Sequence, residues 1–269
     1  MIELFDEDFD AIELVEGALI LNKAVDPNTQ DHWAELELAR LLEEAEQQLF
    51  HLRDDKQRLD SLLRLFYTEW QFSGDHDAYF SSENAFIDKV LERRKGIPVS
   101  LGAILLYLGR KLGLPLEAVT FPTQFLIKVC WPNEAPSYIN PYDGEYVSKK
   151  RLHAWLIGND GPLVKLEAKH LATVDNPTVI GRWLALLKSA LLREEKYTLA
   201  LQCTDLALTF VPDDPYEIRD RGYIYQQLDC HQIAATDFQY FIDQCPDDPA
   251  IELLKTQVSA ISRSPVTLH

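Results

Sequence analysis

The stretch Lys95-Gly96-Ile97-Pro98-Val99-Ser100-Leu101-Gly102-Ala103-Ile104-Leu105-Leu106, KGIPVSLGAILL, changes character within six residues. A glycine and a proline punctuate it, and an apolar run follows. Proline suits the first position of a helix, where its missing N–H would have no partner anyway. The run is therefore predicted to be a buried helix opening at Pro98 and ending near Gly113, with Pro115 beyond it. Ser100 falls in the first turn, where free N–H groups and the helix dipole favour a reactive anion. It reads as a nucleophile, the remnant of one, or a capping residue.

On the N-terminal side, apolar residues recur at helical spacing from Asp31 to Phe50 and again from Asp54 to Trp70. Ser73-Gly74-Asp75 breaks the pattern, and Ser82 is expected to cap a helix reaching about Arg94. On the C-terminal side, LEAVTFP and TQFLIKVCW mix β-branched and aromatic residues and read as strands. PSYINPYDG reads as a short strand entering a turn built by Asn140-Pro141 and Asp143-Gly144. The aromatic residues Phe121, Phe125, Trp131, Tyr138 and Tyr142 are expected to pack as core. Helices resume after Ser148, and GNDGP (158–162) is the expected linker between residues 1–160 and 161–269.

The C-terminal part repeats itself. VPDDP (211–215) and CPDDP (245–249) lie 34 positions apart, and the same offset pairs Ala200 with Ala234, Leu187 with Arg221, Leu191 with Tyr225 and Thr204 with Phe238. A 34-residue period of paired helices, with small residues at the close approach and proline before the next unit, resembles the tetratricopeptide (TPR) repeat. Gly222, Tyr225, Ala234, Phe238 and Pro246 fit the second unit. The first departs from it, with Lys188 where a small glycine is usual.

The net charge of −17, from 43 acidic and 26 basic residues, argues against direct nucleic-acid binding. The acidic excess gathers at the start, where no Lys or Arg precedes Lys23, and solubility or a basic partner would account for it. Two short basic runs, SKKRLHAW (148–155) and ERRKG (92–96), read as solvated helix ends, cations being favoured at C-termini. No apolar run is long enough to span a membrane, and the acidic opening lacks the basic start of a signal peptide, so a cytoplasmic protein is expected. Four cysteines without CxxC spacing indicate reduced, mostly packed thiols. GxGxxG and Walker A patterns are absent, and no metal or cofactor is expected.

The ordered motifs SSENAFIDKVLERRKGIPVSLGAILLYLGRKLGLPLEAVTFPTQFLIKV and YINPYDGEYVS resemble the bacterial Sir-B family, in which a transglutaminase-like core precedes TPR units. The likeness covers about residues 35–155 of the core and agrees with the repeats. It implies an α+β, mostly helical chain: a helical N-terminal region, a transglutaminase-like core with a small antiparallel sheet, and C-terminal TPR-like helices. The family's name comes from a suggested role in regulating invasion gene expression. The transglutaminase-like fold uses a Cys-His-Asp triad. Matched motif to motif, Ser100 stands at the cysteine, Gln124 at the histidine and Asn140 at the aspartate. Each replacement keeps hydrogen-bonding capacity but stays neutral near pH 7. A neutral network from Ser100 through Gln124 to Asn140 is expected to fill a retired catalytic site.

These readings favour a non-catalytic protein that binds a protein or peptide partner. TPR first-helix residues Trp183, Leu187, Arg219, Tyr223 and Gln226 are expected to line its binding face, with the oligomeric state open. Regulation of gene expression through a protein partner is a related reading. The alternative is a serine-dependent hydrolase or acyltransferase acting on peptide or protein amides through Ser100, with a displaced base such as His153 or His76.

Overall fold

A computed structural model describes Phe9 and residues 11–263; residues 1–8 and 10 of the acidic opening stretch lie outside that description. The chain divides into two compact units. The larger holds the described residues up to Lys23 together with Pro27–Trp183, and the smaller holds Ala24–Asp26 and the described residues from Leu184 onward.

Helix α1 covers Leu14–Val25, and in the larger unit α2 covers Asp31–Leu49. Ala34, Leu38, Leu41, Ala45 and Leu49 of α2 are buried, a spacing of three and four that lines one helical face. Helix α3 (Asp55–Arg64) is capped by Asp54, whose carboxylate accepts from the Gln57 N–H at 2.9 Å. The helix expected as far as Trp70 loosens into a π turn over Leu65–Glu69. Ser81, not Ser82, caps the next segment, a single 3-10 turn over Ser82–Asn84; α4 begins only at Ile87 and ends at Arg93. The break lets Asn84 turn its backbone carbonyl and its amide toward two different partners, described below.

Two two-residue strands, β1 (Ser73–Gly74) and β2 (Lys95–Gly96), pair in parallel. Pro98 opens α5 (Pro98–Lys111) as its first helical residue, and Gly113 leaves it at a φ of 76°. β3 (Leu116–Phe121), β4 (Gln124–Val129) and β5 (Ser137–Ile139) form an antiparallel meander in that order. Side chains alternate faces along such strands. On one face Phe125 lies under α5: a Cβ at Gly102 would sit 2.5 Å from the Phe125 ring, so only glycine permits this approach. On the other, Val119, Phe121, Leu126 and Tyr138 form a core with Leu152 and Leu156 of α6 (Lys149–Asp160). Phe121, Phe125 and Tyr138 are buried as expected; Trp131 and Tyr142 are only half-buried.

GNDGP is mostly the end of α6, not a free linker. The chain beyond it is strapped back by His153 Nε2 to the Val164 carbonyl (3.0 Å) and by the Val174 N–H to the Ala118 carbonyl of β3 (3.2 Å). Helix α7 (Asn176–Arg193) runs across the division between the units.

In the smaller unit, α8 (Tyr197–Phe210), α9 (Pro215–Gln227), α10 (His231–Gln244) and α11 (Ile251–Arg263) follow. A Cβ at Gly222 would stand 2.7 Å from the Phe238 ring, which explains the small residue of the repeat. Lys188, at the equivalent position one unit earlier, instead bridges Glu217 (2.7 Å) and Asp220 (2.8 Å) of α9. Burial works against its charge, but the two carboxylates outweigh it and hold the Lys188 pKa above its ordinary value. Arg221, equivalent to Leu187, forms a fork with Asp237 at 2.9 and 2.8 Å. The chain is thus α+β and mostly helical, and among the described residues no helix is long and apolar enough to cross a membrane.

Candidate functional site

Ser100 is fully buried. Its Oγ accepts the Ile97 N–H at 3.1 Å and donates to the Asn84 carbonyl at 2.7 Å, the Ile97 carbonyl lying farther away at 3.1 Å. Reaching back from the third helical position to the N-cap amide is one half of a capping box. The other half is missing because Ile97 has no polar side chain. A Cβ at Gly96 would come within 2.7 Å of the Oγ, so the hydroxyl is packed as well as bonded.

The polar groups around Ser100 differ from those expected. Asn84 Nδ2 donates to the Ala78 carbonyl (2.7 Å), and its Oδ1 accepts from Arg93 Nη1 (3.2 Å). Arg93 Nη2 donates to Asp75 Oδ2 at 2.7 Å, and Asp75 Oδ1 accepts the Ala78 N–H at 3.0 Å. The Asp75 N–H closes the circuit on the Gly96 carbonyl at 3.0 Å. Asp75 is 1% exposed. Burial alone would push its carboxyl up, but the Ala78 N–H, Arg93 and Asn84 together outweigh that and hold it below the ordinary value of 3.8. Asp75, Asn84 and Arg93 were not among the sequence candidates. The only local signals are Asp75 in the Ser-Gly-Asp break and Asn84 just after a serine cap, both common turn chemistry.

The expected chain from Ser100 through Gln124 to Asn140 does not form. Gln124 shares the strand face of Phe121 and Leu126, away from Phe125 and α5, so alternation points it from the Ser100 side of the sheet. Its Nε2 is buried and has no partner among the described residues. Asn140 is consumed by its own turn. Its Oδ1 accepts the Tyr142 N–H (3.2 Å), its Nδ2 donates to Asp143 Oδ2 (3.0 Å), and its carbonyl accepts the Gly144 N–H (2.8 Å). Neither candidate base stands beside Ser100 among the described residues: His153 is the strap to Val164, and His76 Nδ1 lies 3.3 Å from the Tyr142 hydroxyl. Both acceptors near the Ser100 hydroxyl hydrogen are backbone carbonyls, not the histidine expected of the alternative reading.

The expected binding face also changes in part. Trp183 and Leu187 are fully buried, and the Trp183 indole donates to the Ala85 carbonyl at 2.9 Å. Carrying the 34-residue offset back from Arg219, Tyr223 and Gln226 gives Ala185, Ser189 and Leu192, of which Ala185 and Ser189 are exposed. Two positions along a helix is more than half a turn, enough to exchange surface for core. Arg219, Tyr223 and Gln226 are half-buried on α9. The Arg219 guanidinium lies 5.2 Å from the Tyr216 ring centre and 5.1 Å from that of Phe241, and donates to Asp220 at 2.8 Å. Tyr223 packs at 5.0 Å on Phe238.

Comparison with known proteins agrees with this architecture. Residues 32–185 match the Transglutaminase-like superfamily, and residues 187–259 match the Tetratricopeptide repeat. The chain is 70% identical to a UPF0162 protein of Vibrio cholerae, 40% to the UPF0162 protein YchA of Escherichia coli and 39% to Protein SirB1 of Salmonella typhimurium, each over the whole of both chains. No solved structure matches it.

Proposed function

Because this chain belongs to the transglutaminase-like superfamily while its helix-start residue is a serine bonded to backbone carbonyls, we propose that it acts by binding a protein or peptide and not by catalysis. The observation that carries this reading is the fully buried Ser100 Oγ with no imidazole among the described residues within hydrogen-bond distance. Without a base an alcohol is not an effective nucleophile at neutral pH, and losing the base costs several orders of magnitude in rate. The partner face is assigned to the smaller unit: Tyr216, Arg219, Tyr223 and Gln226 of α9, with Ala185 and Ser189 one repeat earlier. Aromatic rings and an arginine on one helical face are the residue types that anchor interfaces. Acting on gene expression through such a partner fits the acidic charge, which disfavours direct contact with DNA.

Two measurements test the reading. A fluorophosphonate probe is expected to leave Ser100 unlabelled in the folded protein. Affinity capture with the full chain is expected to lose its specific partner when Arg219 and Tyr223 are both changed to alanine. Labelling at Ser100 would overturn the non-catalytic reading, and an unchanged partner set would overturn the face.

A further inference from the structure

Beyond the Ser100 network, the α6 side of the sheet holds a cavity of about 500 Å³. That volume lies within the range of small-molecule sites. Tyr138, Leu166, Ala168 and Leu171 give it apolar walls, and Lys128 and Lys149 stand among its lining residues.

Its polar groups are donors with spare capacity. Glu117, Lys128 and Tyr138 lie in one row across β3, β4 and β5. The Lys128 ammonium gives one hydrogen to Glu117 Oε2 at 3.0 Å and has two more to offer. Tyr138 is only 4% exposed and lines the cavity; its hydroxyl has no hydrogen-bond partner among the described residues and is not sealed from solvent. Burial raises the phenol's pKa, although Lys128 opposes this, so it remains a donor at neutral pH. Lys149 has no acidic partner among the described residues. It opens α6 as part of Lys149-Lys150-Arg151, with no acid in the first turn. Cations are disfavoured at that end of a helix. The basic run thus stands at the opposite terminus from the one expected, whereas ERRKG does close α4. Glu167, the acidic residue of the lining, is bridged to Lys169 at 2.9 Å.

We propose that this cavity binds a small amphiphilic carboxylate, its anionic head held by Lys149, Lys128 and the Tyr138 hydroxyl, and its short apolar stem against Leu166 and Leu171. A neutral apolar molecule would cover the Tyr138 hydroxyl and leave it without a partner. A cation would meet two ammonium groups.

Octanoate, octylammonium and octanol titrated calorimetrically into the full chain at low salt test this. Octanoate is expected to bind saturably, and the other two to bind at least about tenfold more weakly, or 1.4 kcal/mol. Lys149→Glu is expected to weaken octanoate by about tenfold or more, and Tyr138→Phe, which keeps the ring, by about threefold to tenfold. Lys150→Glu makes the same charge change outside the lining and is expected to alter affinity less than about twofold. Equal losses from the Lys149 and Lys150 variants, equal binding of octanol, or no saturable octanoate binding would each overturn the proposal. A ring-labelled Tyr138 resonance that shifts with octanoate and not with octylammonium would support it independently of the variants.

Discussion

The two faces of the β3–β4–β5 sheet handle polar groups in opposite ways. Under α5, the first-turn serine is closed off: Ser100, Asn84, Arg93 and Asp75 bond one another or backbone, and little capacity is left over. Under α6, a phenol and two ammonium groups meet a cavity with donor capacity unspent. A buried polar group without a partner costs free energy, so satisfied networks rigidify and unsatisfied ones invite a ligand or water. The count of unused donors and acceptors, not position in the superfamily's fold, is what separates the two faces.

Substitutions on the two faces are therefore expected to diverge, the closed face losing stability and the open face losing only binding. Gly102→Val should have the largest effect. Its side chain enters the Phe125 ring and Pro141, and a loss of about 3 kcal/mol is expected in urea unfolding. Ser100→Ala strands the Ile97 N–H and the Asn84 carbonyl, for an expected loss of about 1–3 kcal/mol by the same measurement. Near-wild-type stability there would mean the closed face is not held by its hydrogen bonds.

Asp75→Asn should cost about 1 kcal/mol at neutral pH, with a pH signature. Asp75 titrates below 3.8 when folded, so its contribution is present above that value and is lost as pH falls through the lower, folded pKa. The gap in unfolding free energy between wild type and variant should narrow below pH 3.8; a gap independent of pH would remove Asp75 from the network. The triple change Ser100→Cys, Gln124→His and Asn140→Asp is expected to bring no rise in iodoacetamide reactivity at residue 100, because the histidine would lie on the far face. Smallest of all, Lys149→Glu should leave stability within about 0.5 kcal/mol while weakening octanoate. A large loss of stability would make the cationic start of α6 structural.

Much of the fold was legible because its determinants are local. Pro98 at a helix start, the β-branched runs of the meander, the Asn140–Gly144 turn and the glycine opposite Phe238 all follow from propensity and spacing over short distances. Trp183 and Leu187 are buried, whereas the repeat's own offset from Arg219 and Tyr223 falls on the exposed Ala185 and Ser189, a difference that the 34-residue spacing carries in the sequence. The start of α4 at Ile87 is less accessible, since Asn22, distant in sequence, accepts the Ile87 N–H and donates to the Ala85 carbonyl.

By itself the sequence determined the order of elements, the superfamily resemblance and the repeat, and it put a serine in the first turn of α5. Only the tertiary structure decided which polar groups meet. Asp75 finds Arg93, and Ser100 finds the Asn84 carbonyl, across loops whose closure no local pattern encodes. Likewise, strand register sent Gln124 to one face and Phe125 to the other, since a shift of one residue exchanges the two sides of a sheet.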